Sequence, residues 1–160
     1  MICLVYGVSG TGKSTLGRDL ALALGCRFLD ADDFHSPANK AKMERGDPLD
    51  AADRSEWLAS LRAELEAVAA SGGRVVLACS ALKKSYRARL LDGLPNTRLI
   101  ALEGSRELLA KRLGEREGHF FPSTLLDSQL EAYEGPESGL VLNCGRPLDD
   151  LLDDALSYLG

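Results

Sequence analysis

The chain has 160 residues, of which 45% are hydrophobic and 27% are charged, a balance that favours one compact globular domain and excludes extensive disorder. Its formal net charge of -5 argues against a nucleic-acid-binding protein, because such domains usually carry a basic face. Four widely spaced cysteines and the lack of a leader or membrane-length apolar run predict a cytoplasmic protein without a zinc site, a disulfide framework or a membrane partner.

Short apolar runs alternate with longer amphipathic ones, which is the pattern of strands joined by helices into a parallel sheet. Strands are expected at 2–6, 27–29, 75–79, 98–102 and 140–144. Helices are expected at 13–24, 51–70, 83–91, 106–115, 124–133 and 148–159. Residues 31–50 are expected to be mostly irregular, with one helical turn near 38–44. The sequence therefore predicts an α/β fold, a three-layer domain with a parallel five-stranded sheet.

A phosphate-binding loop is the most specific motif. Residues 7–14 read GVSGTGKS and match GxxxxGK[ST] at every fixed position, between a predicted strand and a predicted helix. Glycines let the backbone approach phosphate oxygens, and N–H groups at the helix N-terminus attract the anion. We expect catalytic Lys13 to reach the β- and γ-phosphates of ATP, and Ser14 to bind Mg²⁺. The expected ATP-binding residues of the loop are Gly7, Val8, Ser9, Gly10, Thr11, Gly12, Lys13, Ser14 and Thr15.

An acidic cluster follows the second predicted strand, where ligands of parallel sheets usually bind. Asp30 and Asp32 are two residues apart, so on an extended segment their side chains point the same way. We assign Asp32 as the base that accepts a hydroxyl proton, and Asp30 to the metal. The alternative is a solvated acidic turn or a helix N-cap. No aspartate follows the third strand, which disfavours an ATPase motor and makes Asp30 more necessary.

A mobile lid is expected at about residues 112–123, after the helix that follows the fourth strand. Arg112, Arg116 and His119 lie there, with Gly118 as a possible hinge. A lid excludes water, which competes with the acceptor hydroxyl, and its arginines neutralise charge on the transferred group. The alternatives are a solvated basic helix face and, for His119, a structural histidine.

Several of these segments resemble the gluconokinase family of small P-loop carbohydrate kinases. The SALKK string at 80–84 and the EGHF string at 117–120 are much more discriminating than the phosphate loop. The other similar segments are GVSGTGKS at 7–14, LDADDFH at 29–35, Leu49, DR at 53–54, WL at 57–58, YR at 86–87 and SQ at 128–129. The resemblance thus extends from the first strand to about residue 130.

The resemblance implies a P-loop fold like that of nucleoside-monophosphate and shikimate kinases, in one domain over residues 1–160. It implies phosphorylation of D-gluconate to 6-phospho-D-gluconate by ATP with Mg²⁺, in carbohydrate catabolism that feeds the pentose phosphate pathway. The family is often homodimeric. Gluconate would bind mainly within about 31–60, and the implied contacts are Asp32, His35, Arg54, Lys84, Arg87 and His119. Arg112 and Arg116 would contact the ATP phosphates, with Arg116 catalytic.

Three alternatives stay open. A kinase for shikimate or another small hydroxy acid shares the Asp-x-Asp pattern, although a shikimate kinase would show Gly-Gly-Gly where this chain reads Cys79-Ser80-Ala81. A nucleoside monophosphate kinase usually has longer segments that are richer in arginine. A regulatory module that binds ATP without catalysis is disfavoured by the many ionisable residues beyond the phosphate loop.

Overall fold

The computed structural model describes residues 1–115 and 123–160. In this part of the chain, five strands form one sheet in the order β2-β3-β1-β4-β5, and every neighbouring pair is parallel. The strands are β1 Ile2–Tyr6, β2 Arg27–Asp30, β3 Val75–Cys79, β4 Thr97–Glu103 and β5 Leu140–Asn143. All carboxyl ends therefore meet at one edge of the sheet, and the predicted fold class is confirmed.

Seven α-helices lie in the described ranges. They are α1 Lys13–Leu24, α2 Pro37–Glu44, α3 Ala51–Ala70, α4 Lys84–Leu91, α5 Arg106–Gly114, α6 Ser123–Ala132 and α7 Leu148–Leu159. The segment 31–50 is more regular than expected, because a 3-10 turn at Ala31–Phe34 precedes α2. The Ser36 side chain accepts a hydrogen bond from the N–H of Asn39, and Pro37 occupies the first turn, two strong signals for a helix start.

The sheet is covered on both faces, which gives the predicted three layers. Ile2, Leu4 and Tyr6 of β1 face one core with α3 and α4. The intervening residues Cys3 and Val5 face the other core with α1, α5 and α7. This alternation follows from the pleat of the strand, and both faces are apolar because β1 lies between β3 and β4.

Arg87 of α4 fastens the segment that leads into β5. Its side chain is only 1% exposed, and its guanidinium donates to the Glu137 carboxylate at 2.9 Å. It also donates to four backbone carbonyls, those of Ala81, Leu82, Glu134 and Gly135, at 2.7, 3.3, 2.9 and 3.1 Å. The ion pair lowers the pKa of Glu137. Arg87 is therefore a buried structural anchor whose donors already have protein partners.

Replacing Arg87 should destabilise the fold. Arg87→Leu removes the donors of several carbonyls, so we expect the free energy of unfolding in urea to fall by about 3 kcal/mol. Arg89→Leu, on the same helix, is the matched control because Arg89 is exposed and, among residues 1–115 and 123–160, bonds only the Ser55 carbonyl. Its cost should stay below about 1 kcal/mol. Equal losses in the two variants would contradict the anchoring role.

Candidate active site

The phosphate loop connects β1 to α1 at the edge where the strands end. Gly10 and Gly12 have φ of 87° and 86°, a left-handed conformation that side chains disfavour. Gly7 lies so close to β4 that a Cβ would come within 2.5 Å of the Leu102 carbonyl oxygen. Thr11 closes the loop by donating from Oγ1 to the Val8 carbonyl at 2.9 Å. The glycines of the motif are thus required by backbone shape and by packing.

Ser14, which follows β1, forms a hydrogen bond with Asp30, which ends β2. Ser14 Oγ donates to Asp30 Oδ2 at 2.8 Å, and Asp30 Oδ1 accepts from the N–H of Asp32 at 3.1 Å. Asp30 therefore also caps the 3-10 turn, so the N-cap alternative describes part of its role. A hydroxyl and a carboxylate are the oxygen donors that Mg²⁺ prefers. The pair fits a magnesium ion that is bound mainly by the phosphates of ATP.

Asp32 opens the 3-10 turn beside the phosphate loop. Its carboxyl is solvent-accessible, but partial desolvation and then the nearby Asp30 carboxylate raise its pKa above the ordinary range. Lys13 and His35 oppose this rise. These effects show that Lys13, Asp30 and His35 lie near the Asp32 carboxyl. A raised pKa also makes the Asp32 carboxylate a better proton acceptor near neutral pH.

His35 stacks on Trp57 of α3. The ring centroids are 4.5 Å apart with an interplanar angle of 11°, and His35 is only 8% exposed. Trp57 Nε1 donates to the Ala31 carbonyl at 2.7 Å, which ties α3 to the 3-10 turn. Burial lowers the pKa of His35, so the imidazole is neutral at pH 7. Its Nδ1 makes no hydrogen bond within residues 1–115 and 123–160.

A cavity of about 320 Å³ lies between α3, α4 and α6. It is bounded by Trp57 on one side and by Gln129, which contacts the phosphate loop, on the other. Its remaining lining residues are Arg54, Ser80, Leu82, Lys83, Tyr86, Ser128 and Ala132. A compact polar molecule in this cavity would meet two cationic side chains beside the cleft that holds Asp32.

Two of the expected acceptor contacts do not line this cavity, and their role in binding stays a prediction. Lys84 and Arg87 line a different groove, of about 440 Å³, together with Glu137. Arg87 is buried and its donors are engaged. Lys84 differs from Lys83 because consecutive residues at the start of α4 face different directions. Lys83, which sequence reasoning passed over, lines the 320 Å³ cavity instead.

A smaller cavity, of about 190 Å³, opens on the far side of the phosphate loop. Arg112 of α5 spans it, donating to the Cys144 carbonyl at 2.6 Å and the Gly10 carbonyl at 3.4 Å. Arg146 and Leu148, which follow β5, complete its wall. Sequence analysis missed this wall, although its position just after a strand of a parallel sheet was a usable signal.

The expected lid is described only in part. Arg116 and His119 lie outside the described residues, so their predicted roles are not addressed by the structure. Within the described ranges, no helix is long and apolar enough to cross a membrane. No cluster of three or more histidine, cysteine or acidic side chains suited to a metal occurs there either.

Comparisons with known proteins give a consistent result. Residues 2–136 match the AAA domain family. A probable gluconokinase of Rattus norvegicus is 45% identical over 179 residues, covering 99% of this chain and 97% of the relative. Among solved structures, a sugar kinase of Janibacter sp. is 43% identical with a TM-score of 0.90, covering 99% of this chain and 93% of its own. A gluconokinase of Sinorhizobium meliloti is 42% identical with a TM-score of 0.85, covering 98% and 90%.

More distant neighbours share the fold alone. Shikimate kinase from Aquifex aeolicus is 16% identical, with a TM-score of 0.62 over 99% of this chain and 96% of its own. The predicted similarity to shikimate kinases in architecture is therefore confirmed, and it carries no information about the acceptor.

The stacked pair offers a fluorescence test of the site. Trp57 is the only tryptophan of the chain, and a protonated imidazole in ring contact quenches indole emission. Burial lowers the pKa of His35, so emission should stay constant as the pH falls to the ordinary histidine value of about 6.5 and then decrease below it. The measurement is Trp57 emission between pH 8 and 4.5.

His35→Gln should remove this transition while leaving the fold intact. Stability should decrease with falling pH in the same way as the emission. The unfolded chain binds the proton at His35 more readily than the folded chain does, so the stability that neutral His35 contributes is lost as the pH falls below about 6.5. A quenching midpoint above 6.5, or an unchanged transition in His35→Gln, would contradict the buried neutral stack.

Proposed function

Since the chain belongs to the gluconokinase family of P-loop kinases, we propose that it transfers the γ-phosphoryl group of ATP to D-gluconate. The products are 6-phospho-D-gluconate and ADP. The observation that carries this proposal is a cavity with two cationic side chains whose walls contact both the phosphate loop, through Gln129, and His35 beside Asp32, through Trp57.

The phosphate loop and its partners hold the donor. Backbone N–H groups of the loop and the N-terminus of α1 bind the phosphates, and Lys13 contacts the group in transfer. Ser14 and Asp30 hold Mg²⁺, which neutralises phosphate charge when it is bound. The nucleoside extends over the 190 Å³ cavity, where Arg112 and Arg146 face it.

Asp32 acts on the acceptor. Its carboxylate accepts the proton of the gluconate 6-hydroxyl as the oxygen attacks the γ-phosphorus, and the bond to the β-γ bridging oxygen breaks. The neutral imidazole of His35 hydrogen-bonds a hydroxyl of the sugar acid. The gluconate carboxylate lies at the other end of the acceptor, where Arg54 and Lys83 pair with it in the 320 Å³ cavity.

Other parts of the proposal rest on the family resemblance. One P-loop kinase domain spans residues 1–160, with the acceptor region at about 31–60 and a lid at about 112–123. Within the lid, Arg116 neutralises phosphate charge and His119 contacts the acceptor. A homodimeric state and a cytoplasmic location stay predictions.

An acceptor panel tests the substrate. Purified protein with ATP and Mg²⁺ should form ADP rapidly with D-gluconate and at least about 100-fold more slowly with shikimate or AMP, because only gluconate places a carboxylate five carbons from a primary hydroxyl. ADP release is followed by a coupled assay. Rapid turnover of another hydroxy acid, without turnover of gluconate, would support the alternative kinase and overturn the gluconate assignment.

Two adjacent lysines give a matched test of the acceptor cavity. Lys83 lines the cavity and Lys84 lines the separate groove. Lys83→Met should raise the KM for gluconate about tenfold, because a charge-assisted contact to its carboxylate is lost, while the KM for ATP stays unchanged. Lys84→Met should leave both constants within about twofold. The reverse pattern would move the acceptor to the groove.

A further inference from the structure

A side chain from α6 reaches the phosphate loop. Gln129 Oε1 accepts a hydrogen bond from the backbone N–H of Ser9 at 2.8 Å. The two residues are 120 positions apart in sequence, so this contact is built by the tertiary fold. Ser9 lies in the outer part of the loop, ahead of the glycines and lysine that grip the phosphates. Gln129 thus fixes the position of the loop by a direct bond to its backbone.

The same side chain faces the acceptor. Gln129 is half-buried and lines the 320 Å³ cavity beside Ser128 and Trp57. A group that contacts the phosphate loop and also lines the acceptor cavity lies at the boundary between the two substrates. The phosphoryl group must cross this boundary during the reaction.

The helix that carries Gln129 is held firmly. Tyr133 Oη donates to Glu103 Oε2 at 2.6 Å, which ties α6 to the end of β4. Just beyond the helix, the N–H of Glu134 donates to the Leu82 carbonyl at 2.8 Å. These contacts attach the C-terminal end of α6 to the end of β4 and to the loop after β3. Gln129 is therefore presented from a rigid element, as a positioning group requires.

The hydrogen bond to Ser9 uses only the oxygen of the Gln129 side-chain amide. Oε1 must be the atom that meets Ser9, because the backbone N–H is a donor. The two N–H groups of Nε2 donate to no residue within 1–115 and 123–160. An amide that is held in place through Oε1 and lines the cavity is suited to donate from Nε2 to an anionic oxygen.

We propose that Gln129 is a catalytic residue for phosphoryl transfer: it fixes the phosphate loop through Oε1 and donates from Nε2 to an oxygen of the group in transfer. This inference rests on the proposed function for its reaction. The proposal predicts that the Nε2 donor of Gln129 is needed for a normal kcat, as Oε1 is. A purely structural contact with Ser9 would need only Oε1.

Two variants test the roles of Oε1 and Nε2: Gln129→Glu and Gln129→Leu. The glutamate still accepts from Ser9, but it has no N–H donor and adds negative charge beside the phosphates. The leucine removes both polar functions. We expect kcat to fall about 100-fold or more in both variants, and the KM for ATP to rise by a much smaller factor, because the glutamate repels the phosphates and the leucine no longer holds the loop. Glu131→Gln, an exposed change on the same helix, should leave kcat unchanged.

Gln129→Glu distinguishes a role of the Nε2 donor in catalysis from a purely structural contact with Ser9. A kcat within about threefold of the unaltered chain in Gln129→Glu would reduce Gln129 to a structural contact with Ser9 and overturn the proposal. Thermal unfolding of each variant shows whether a loss reflects misfolding, and Gln129→Glu retains shape and the Ser9 bond. The rates are compared with the acceptor that the unaltered chain turns over best, so failure of gluconate as a substrate is seen separately.

Discussion

The hydrogen bond between Ser14 and Asp30 joins the two halves of the catalytic cleft. Ser14 begins the helix after β1, and Asp30 ends β2, which is separated from β1 by β3. Only a parallel sheet brings these two strand-to-helix turns to the same edge. The bond therefore depends on the whole sheet order, and it sets the distance between the phosphate loop and Asp32.

Charge is distributed to match the reaction. The chain is acidic overall, with a formal net charge of -5, yet Lys13, Arg54 and Lys83 face the cleft and its cavity. Local cations attract anionic ATP and a sugar acid, while metal binding and proton acceptance are the roles proposed for Asp30 and Asp32. The neutral stack of His35 on Trp57 adds shape and hydrogen bonding without adding charge.

Motif and periodicity were sufficient to predict most of the fold, including every strand of the described chain. The phosphate loop, Ser14 with Asp30, and Asp32 beside Lys13 followed from chain order, because strand ends of a parallel sheet converge. The positions of Arg87 and Lys84 in a separate groove could not be predicted in this way, because side chains at the start of α4 line different grooves. Gln129 was not predicted as a site residue because its contact with Ser9 spans 120 positions of sequence.

A crystal structure of the protein with a non-hydrolysable ATP analogue, Mg²⁺ and gluconate tests the central claim most directly. The account predicts that the Asp32 carboxylate lies within about 3 Å of the gluconate 6-hydroxyl, which faces the γ-phosphorus in line for attack. The gluconate carboxylate should lie at Arg54 and Lys83. Gluconate bound in the groove of Lys84 and Glu137, with Asp32 away from the reacting hydroxyl, would contradict the account.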